Sequence, residues 1–276
     1  MTQTLPKFDA PPVIETVLCI QFVPLPGFTA AHGGCFWQRS LAPDLVEWQS
    51  AKLAERPKIE DEFEDLGSKP AFKRMAFQLR PAEGVSRTQI IRSDEERMIQ
   101  VQDTRFIYNW RKRQGAYPSY TAIKPDFDVL WERFIKYLDE SRFPSPQPNQ
   151  WEVTYVNHIP RGELWNEVSD WAKLLPSLYI PDVSCRESVA FETLGGGWQY
   201  RLANNRGRLH VSIQHGQTSE ADRSEVLMLH LTARGPIGTA ETETADAGFS
   251  LGHDAIVETF YRMTSDAAHI AWKERP

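Results

Sequence analysis

Cysteine is scarce in this sequence, and its placement excludes two familiar uses of that residue. The 276 residues include three cysteines, Cys19, Cys35 and Cys185. An odd number at such wide spacing fits neither a disulfide framework nor a zinc site. The sequence therefore predicts no metal site, and nothing else in it indicates a cofactor.

Long apolar runs and targeting signals are also missing. No apolar run approaches the roughly eighteen residues that a membrane-spanning helix needs. Residues 1–12 have neither the basic region nor the continuous apolar region of a signal peptide. These absences predict a cytoplasmic protein with no membrane partner.

A basic excess is absent from both halves of the chain. Residues 1–148 carry 20 Lys+Arg and 20 Asp+Glu, so the net charge of −6 comes from the remaining residues. A protein that binds the phosphates of a nucleic acid usually has an excess of basic residues on at least one domain. The charge distribution therefore argues against a nucleic-acid partner.

The hydrophobic pattern predicts the same order of elements twice. In the first half it predicts a strand over 13–23, a modest helix within 35–54 that starts near Pro43, strands over 72–79, 88–92, 97–102 and 105–111, and a helix over 126–138. In the second half it predicts a strand over 151–159, a short helix over 166–175, strands near 186–194, 198–204, 208–214 and 226–234, and a helix over 251–272 interrupted near 264–266. The prolines between 142 and 149 indicate a linker, so the predicted halves are 1–142 and 150–276, joined by 143–149.

This order predicts an α+β fold made of two β-α-β4-α units, with antiparallel sheets and helices on one face. Such units are similar to those of TATA-binding-protein-like and Bet v 1-like folds. Matching residues in the first strand and the last helix of each half suggest a duplication, although any two amphipathic elements can show such matches. A likeness of fold does not carry a function with it.

Four segments together resemble a sporadically distributed family of uncharacterised bacterial and archaeal proteins of about this length. They are PPVIETVL from Pro11, NWRK from Asn109 with YPSY from Tyr117, VTYVNHI from Val153, and GHDAIV from Gly252 with its continuation to Trp272. The resemblance implies a microbial cytoplasmic protein and supplies no activity.

Three consecutive cations lie among three aromatic residues over residues 109–120, which contain the candidate binding residues Asn109, Trp110, Arg111, Tyr117 and Tyr120. Such side chains can stack on bases or hold an anion. They are also typical of a strand end whose tryptophan packs inward while its cations face water, and the lack of a wider basic surface favours that interpretation. A site here would suit a small anion or a partner's carboxylates.

Four further residues complete the set of candidates. Glu15 interrupts an apolar strand and so needs a donor, a cation or solvent. Asn157 is expected on the core face of its strand and His158 on the other, while His253 begins the last helix. The acidic run from Glu60 to Asp65 is interpreted as a solvated loop rather than a site.

The sequence favours a non-catalytic binding module for a protein partner or a small anionic ligand. It lacks the Gly-x-Ser-x-Gly elbow, the His-Glu-x-x-His pair and the P-loop, so common hydrolases and NTPases are disfavoured. Two alternatives stay open: an enzyme with a site between the halves that uses Glu15, Asn157, His158 or His253, and nucleic-acid binding through 109–120. The sequence also allows a homo-oligomer.

Overall fold

A computed structural model describes residues 5–64, 66–67, 81–180, 191–218, 223–238 and 243–275. The predicted strand over 72–79 and most of the one near 186–194 lie outside these residues. The described strands are β1 Lys7–Phe8, β2 Val13–Phe22, β3 Lys52–Ile59, β4 Pro81–Ile91, β5 Arg97–Gln102, β6 Arg105–Arg111, β7 Pro148–Pro160, β8 Gly195–Arg201, β9 Arg208–Gln217, β10 Glu225–Pro236 and β11 Glu274–Arg275. The described helices are α1 Ala30–Phe36, α2 Tyr120–Glu140, α3 Trp171–Leu174, α4 Ala245–Met263 and α5 Asp266–Ala271.

Nine of the strands form one antiparallel sheet in the order β3-β4-β5-β6-β2-β7-β10-β9-β8, and β1 pairs with β11. The first strands of the two predicted halves, β2 and β7, pair with each other at the centre of this sheet. The predicted α+β class with an antiparallel sheet is confirmed. The closer likeness to the TATA-binding protein or Bet v 1 stays a prediction.

The alternation of side chains along β2 explains which of its residues face the core, and a β-bulge interrupts this alternation once. Leu18, Ile20 and Phe22 point into the main hydrophobic cluster, as the period of two predicts. The pairing of β2 with β7 shifts by one residue between Val13 and Glu15, which is a β-bulge. Val13 therefore lies in the core.

The helices that contact the sheet pack on one side of it. Phe127 and Phe134 of α2 meet Phe106 of β6 with ring centroids 5.8 and 5.1 Å apart, and α4 packs on β7 and β10. In the described part of the chain no helix packs on the opposite side, which we call the helix-free face. Because neighbours in a strand point to opposite sides, Glu15, Asn109 and His158 belong to the helix-free face.

The predicted helix near Pro43 is wrong in position. The chain forms α1 over residues 30–36, followed by a π-turn at Trp37–Leu41, and residues 52–59 are a strand. The helix begins after Thr29, whose backbone N–H donates to Nδ1 of His32 at 3.1 Å. Two glycines inside α1 weaken its sequence signal, because glycine disfavours helix interiors.

The bounds of the other predicted helices agree more closely with the structure. The interruption near 264–266 is confirmed, since α4 ends at Met263 and α5 begins at Asp266. Helix α2 starts at Tyr120, earlier than predicted, and β7 starts at Pro148 within the predicted linker. None of the described helices is long and apolar enough to cross a membrane.

Candidate functional site

The predicted site residues divide between the two sides of the sheet. Trp110, Tyr117, Tyr120 and His253 meet on the helix-covered side, whereas Glu15, Asn109, Arg111 and His158 belong to the helix-free face. Asn157 is buried and donates from Nδ2 to the Leu229 carbonyl at 3.0 Å. The division follows from strand geometry, which turns Trp110 away from its neighbours Asn109 and Arg111.

A chain of aromatic hydroxyls ends on His253. Tyr117 donates to the Tyr155 hydroxyl at 3.0 Å, and that hydroxyl lies 2.8 Å from Nδ1 of His253. Since the Tyr155 oxygen accepts from Tyr117, its own proton points to Nδ1, and the imidazole carries its proton on Nε2. The ring of Tyr120 stacks on His253 with centroids 4.1 Å apart.

This aromatic cluster is suited to joining elements rather than to moving protons. Its members come from β6, from the loop between β6 and α2, from α2, from β7 and from α4, and thus from both predicted halves. Burial lowers the pKa of His253 to about 4 and raises the pKa of Tyr155 well above its usual value. A general base works best with a pKa near the working pH, so a neutral His253 is a weak base at pH 7.

Polar side chains on the helix-free face form a continuous row across four strands. Gln89 of β4 donates to Oε1 of Gln100 at 2.9 Å, Gln100 donates to Oδ1 of Asn109 at 2.9 Å, and Asn109 donates to Oε1 of Glu15 at 2.8 Å. Burial raises the pKa of Glu15, while the Asn109 hydrogen bond and the charge of Arg111 oppose that rise. The donor that Glu15 was expected to need is therefore Asn109.

Five half-buried side chains continue this face at its centre, and we call them the central patch: Glu15, Val156, His158, Met228 and His230. Strand pairing places Glu15 opposite Val156, Val156 opposite His230, and His158 opposite Met228. Burial lowers the pKa of His158. Burial and the nearby His158 lower the pKa of His230 to about 4. Both imidazoles are therefore neutral at pH 7.

The interpretation of the acidic run as a solvated loop holds for Glu60 and Glu62 but is wrong for Glu64, and Asp65 lies outside the described residues. Residues 59–64, which we call the strap, cross one end of the helix-free face and are held there by side chains of the sheet. Only 4% of the Glu64 side chain is exposed. Sequence reasoning missed this site because its cations lie far along the chain from the strap; the only available signal was the unusual density of acids beside Phe63.

The Glu64 carboxylate is surrounded by three donors. Oε1 accepts from Nε of Arg234 at 2.6 Å and lies 2.5 Å from Nε2 of His210, and Oε2 accepts from Nη1 of Arg208 at 2.7 Å. Burial alone would raise the pKa of Glu64, but the bonds and charges of His210 and Arg234 outweigh it and hold the pKa at about 2. The carboxylate is therefore ionised, and His210 must donate to it.

A separate cleft of about 240 Å³ lies between α2 and the strands β5 and β6. Three of its polar groups are paired with one another, because Tyr108 and Nε of Arg97 both donate to Oδ2 of Asp126, at 2.9 and 3.4 Å. None of the predicted site residues lines this cleft. Within the described residues, no group of three or more His, Cys, Asp or Glu side chains is arranged to hold a metal ion.

Comparison of the sequence with models of known protein families finds no match, and no curated protein matches it either. The function must therefore be argued from the geometry of the described residues.

Proposed function

We propose that this protein is a non-catalytic binding module that docks a protein partner on the central patch of its helix-free face. The observation that carries the proposal is the character of that patch: half-buried Val156 and Met228 with two neutral imidazoles around the single carboxylate of Glu15, on three adjacent strands in the middle of a broad sheet. The cores of protein interfaces are depleted in charge and enriched in methionine and aromatic groups, and arginine is frequent among them. Arg111 and Arg113 near the patch suit that pattern. The proposal keeps the bacterial or archaeal source and the cytoplasmic location expected from the sequence.

The enzyme alternative is less well supported. Its candidate residues are Glu15, Asn157, His158 and His253, but His253 packs on the helix-covered side, whereas Glu15 and His158 belong to the helix-free face. Asn157 is engaged with a backbone carbonyl. The sheet therefore separates His253 from Glu15 and His158, so the candidate residues do not share one pocket.

Nucleic-acid binding through residues 109–120 is also less well supported. Only 1% of Trp110 is exposed, and Tyr117 packs against it with ring centroids 5.3 Å apart. A base cannot stack on a ring that is already covered.

The test is partner capture from the source cells followed by native mass spectrometry. The tagged wild-type protein should carry a stoichiometric added mass of a second protein. Val156→Glu places a charge in the central patch and should lower recovery of that partner at least about tenfold, equivalent to about 1.4 kcal/mol.

The matched control is Val46→Glu, because Val46 is 77% exposed in the short 3-10 helix Val46–Trp48, outside the patch. This variant should retain the partner, and both variants should have the circular dichroism spectrum of the wild type. Equal recovery by all three proteins would contradict the proposal. A small added mass in place of a protein would favour the anionic-ligand alternative.

A further inference from the structure

Two glutamine side chains hold the strap by its backbone. The Gln102 amide accepts from the Ile59 N–H at 3.0 Å and donates to the Ile59 carbonyl at 2.9 Å. The Gln150 amide accepts from the Glu64 N–H at 3.0 Å and donates to the Glu62 carbonyl at 2.6 Å. A side-chain amide offers the same donor and acceptor as a peptide group, so these clamps hold an extended segment whatever its sequence.

The strap's own side chains enter distinct sites on the sheet. Ile59 packs in a small apolar cluster with Cys19 and Ile107. Asp61 accepts from the Thr104 hydroxyl at 2.8 Å and pairs with Nε of Arg105 at 3.5 Å. Arg105 also donates to the Glu60 carbonyl at 2.9 Å.

The cationic end of this groove comes from the other half of the sheet. Arg208 and His210 of β9 and Arg234 of β10 converge on the single carboxylate of Glu64. Hydrogen bonds between an ionised donor and a carboxylate are about twice as strong as neutral ones. The strap therefore resembles a bound peptide, with backbone clamps, an apolar anchor and two acidic anchors.

We infer that this groove is a binding site for an extended acidic peptide segment of a protein partner, and that the strap is its resident occupant. The groove is formed by Gln102, Arg105, Gln150, Arg208 and Arg234. The inference rests on the proposed function, because it names the kind of partner segment that is recognised beside the central patch. The spacing of the strap gives the motif: an apolar residue, an acid two positions later, and a second acid three positions after that.

The experiment supplies the strap in trans. A fluorescent peptide with the sequence of residues Lys58–Glu64 is titrated with the full-length wild type and with the full-length Asp61→Asn/Glu64→Gln variant, and anisotropy is read. A tethered segment competes at an effective concentration of about millimolar. The variant, whose own strap has lost both acidic anchors, should therefore bind the peptide at least about tenfold more tightly than the wild type does.

Three controls isolate the groove. A peptide with Asn and Gln in place of the two acids should lose its binding to the variant, as should the wild-type peptide when Gln150→Leu is added to the protein. The variant Asp44→Asn/Glu47→Gln makes the same change of charge at exposed residues outside the groove, and it should bind no better than the wild type.

Asp61→Asn alone provides a milder variant in case the double variant is unfolded, and it should show a smaller gain in the same direction. No gain in a variant with a native circular dichroism spectrum would overturn the inference, and so would a gain that does not depend on the peptide's acids. Suppose that either of these results is found while Val156→Glu still prevents capture of the partner. The inference about the groove would then be overturned, and the proposed function would stand.

Discussion

At the scale of single residues, Glu64 is the side chain whose charge state matters most for stability. Its carboxylate is nearly buried and accepts three charge-assisted hydrogen bonds. Its pKa of about 2, against an ordinary value of 4.5, means that the folded protein holds the ionised form more tightly than the unfolded chain does.

We predict that this carboxylate contributes about 3 kcal/mol to the free energy of unfolding at pH 7. Because its folded pKa is lowered, the contribution is complete above pH 4.5 and is lost as the pH falls from there towards 2. Urea unfolding of the wild type and of Glu64→Gln between pH 7 and pH 3 should show a large difference in stability at pH 7 that shrinks with acidification.

Glu62→Gln is the control for this prediction. Its side chain is 58% exposed, and an exposed ion pair contributes less than about 1 kcal/mol. Its stability should stay close to that of the wild type over the whole pH range. A difference for Glu64→Gln that does not vary with pH would assign its effect to packing instead of charge.

The sequence predicted what some individual site residues require, but it did not predict which residues they contact. The need of Glu15 for a donor followed from a carboxylate in an apolar strand, but the identity of that donor did not, because Asn109 lies 94 residues away. The grouping of Tyr117, Tyr120 and His253 likewise depends on α2 and α4 meeting, which no local pattern encodes.

At the scale of elements, close packing of α4 on the sheet depends on glycine. A Cβ atom added at Gly248 would lie 2.3 Å from Cδ1 of Trp151, and one at Gly252 would lie 2.8 Å from Cζ3 of the same ring. The indole is buried and cannot move aside easily. These glycines set the distance between the helix and β7.

We predict that Gly248→Ala lowers the free energy of unfolding by about 1–2 kcal/mol. Overpacking costs about 1–3 kcal/mol, and the gain of about 0.8–1 kcal/mol from alanine in a helix offsets part of it. Thermal or urea unfolding measures the change.

Gly34→Ala is its matched control, since it is also a helical glycine but the nearest atom to its added Cβ is Cδ1 of Leu53 at 3.7 Å, an ordinary contact. This variant should be as stable as the wild type or more stable by up to about 1 kcal/mol. The prediction fails if the two substitutions have the same effect.

Elements with local determinants were predicted well. The hairpin of β4 and β5 follows from the predicted strands over 88–92 and 97–102, and the structure pairs Thr88 with Val101 and Ile91 with Met98. Helix α1 was missed because Gly33 and Gly34 weaken its helical signal. The glycine at position 33 allows α1 to pack closely on β4, since a Cβ at this position would lie 2.4 Å from Oγ1 of Thr88.

At the scale of the whole molecule, the pairing of β2 with β7 makes the two predicted halves share one sheet and one main core. Side chains of both halves contribute to that core, so neither half can open without exposing the central strands. The sequence indicated two similar units, but it could not indicate that their first strands pair.

We predict that both halves unfold together. Native-state hydrogen exchange in rising urea should give the same unfolding free energy for amides of β6 and of β10, because both belong to the same cooperative unit. The two-residue pair β1 and β11 should exchange faster and serves as the internal control. Loss of protection in one half at a lower urea concentration than in the other would contradict this prediction.

The outermost described strand at one end of the sheet, β3, carries Pro57 together with exposed Lys52 and Arg56. Proline has no N–H with which to extend a ladder, and charged side chains on an edge strand disfavour its pairing with another strand. A broad sheet is an aggregation hazard at any open edge. At this edge the sheet therefore resists the addition of a strand from a second copy of the chain, which is the first step of fibril-like growth.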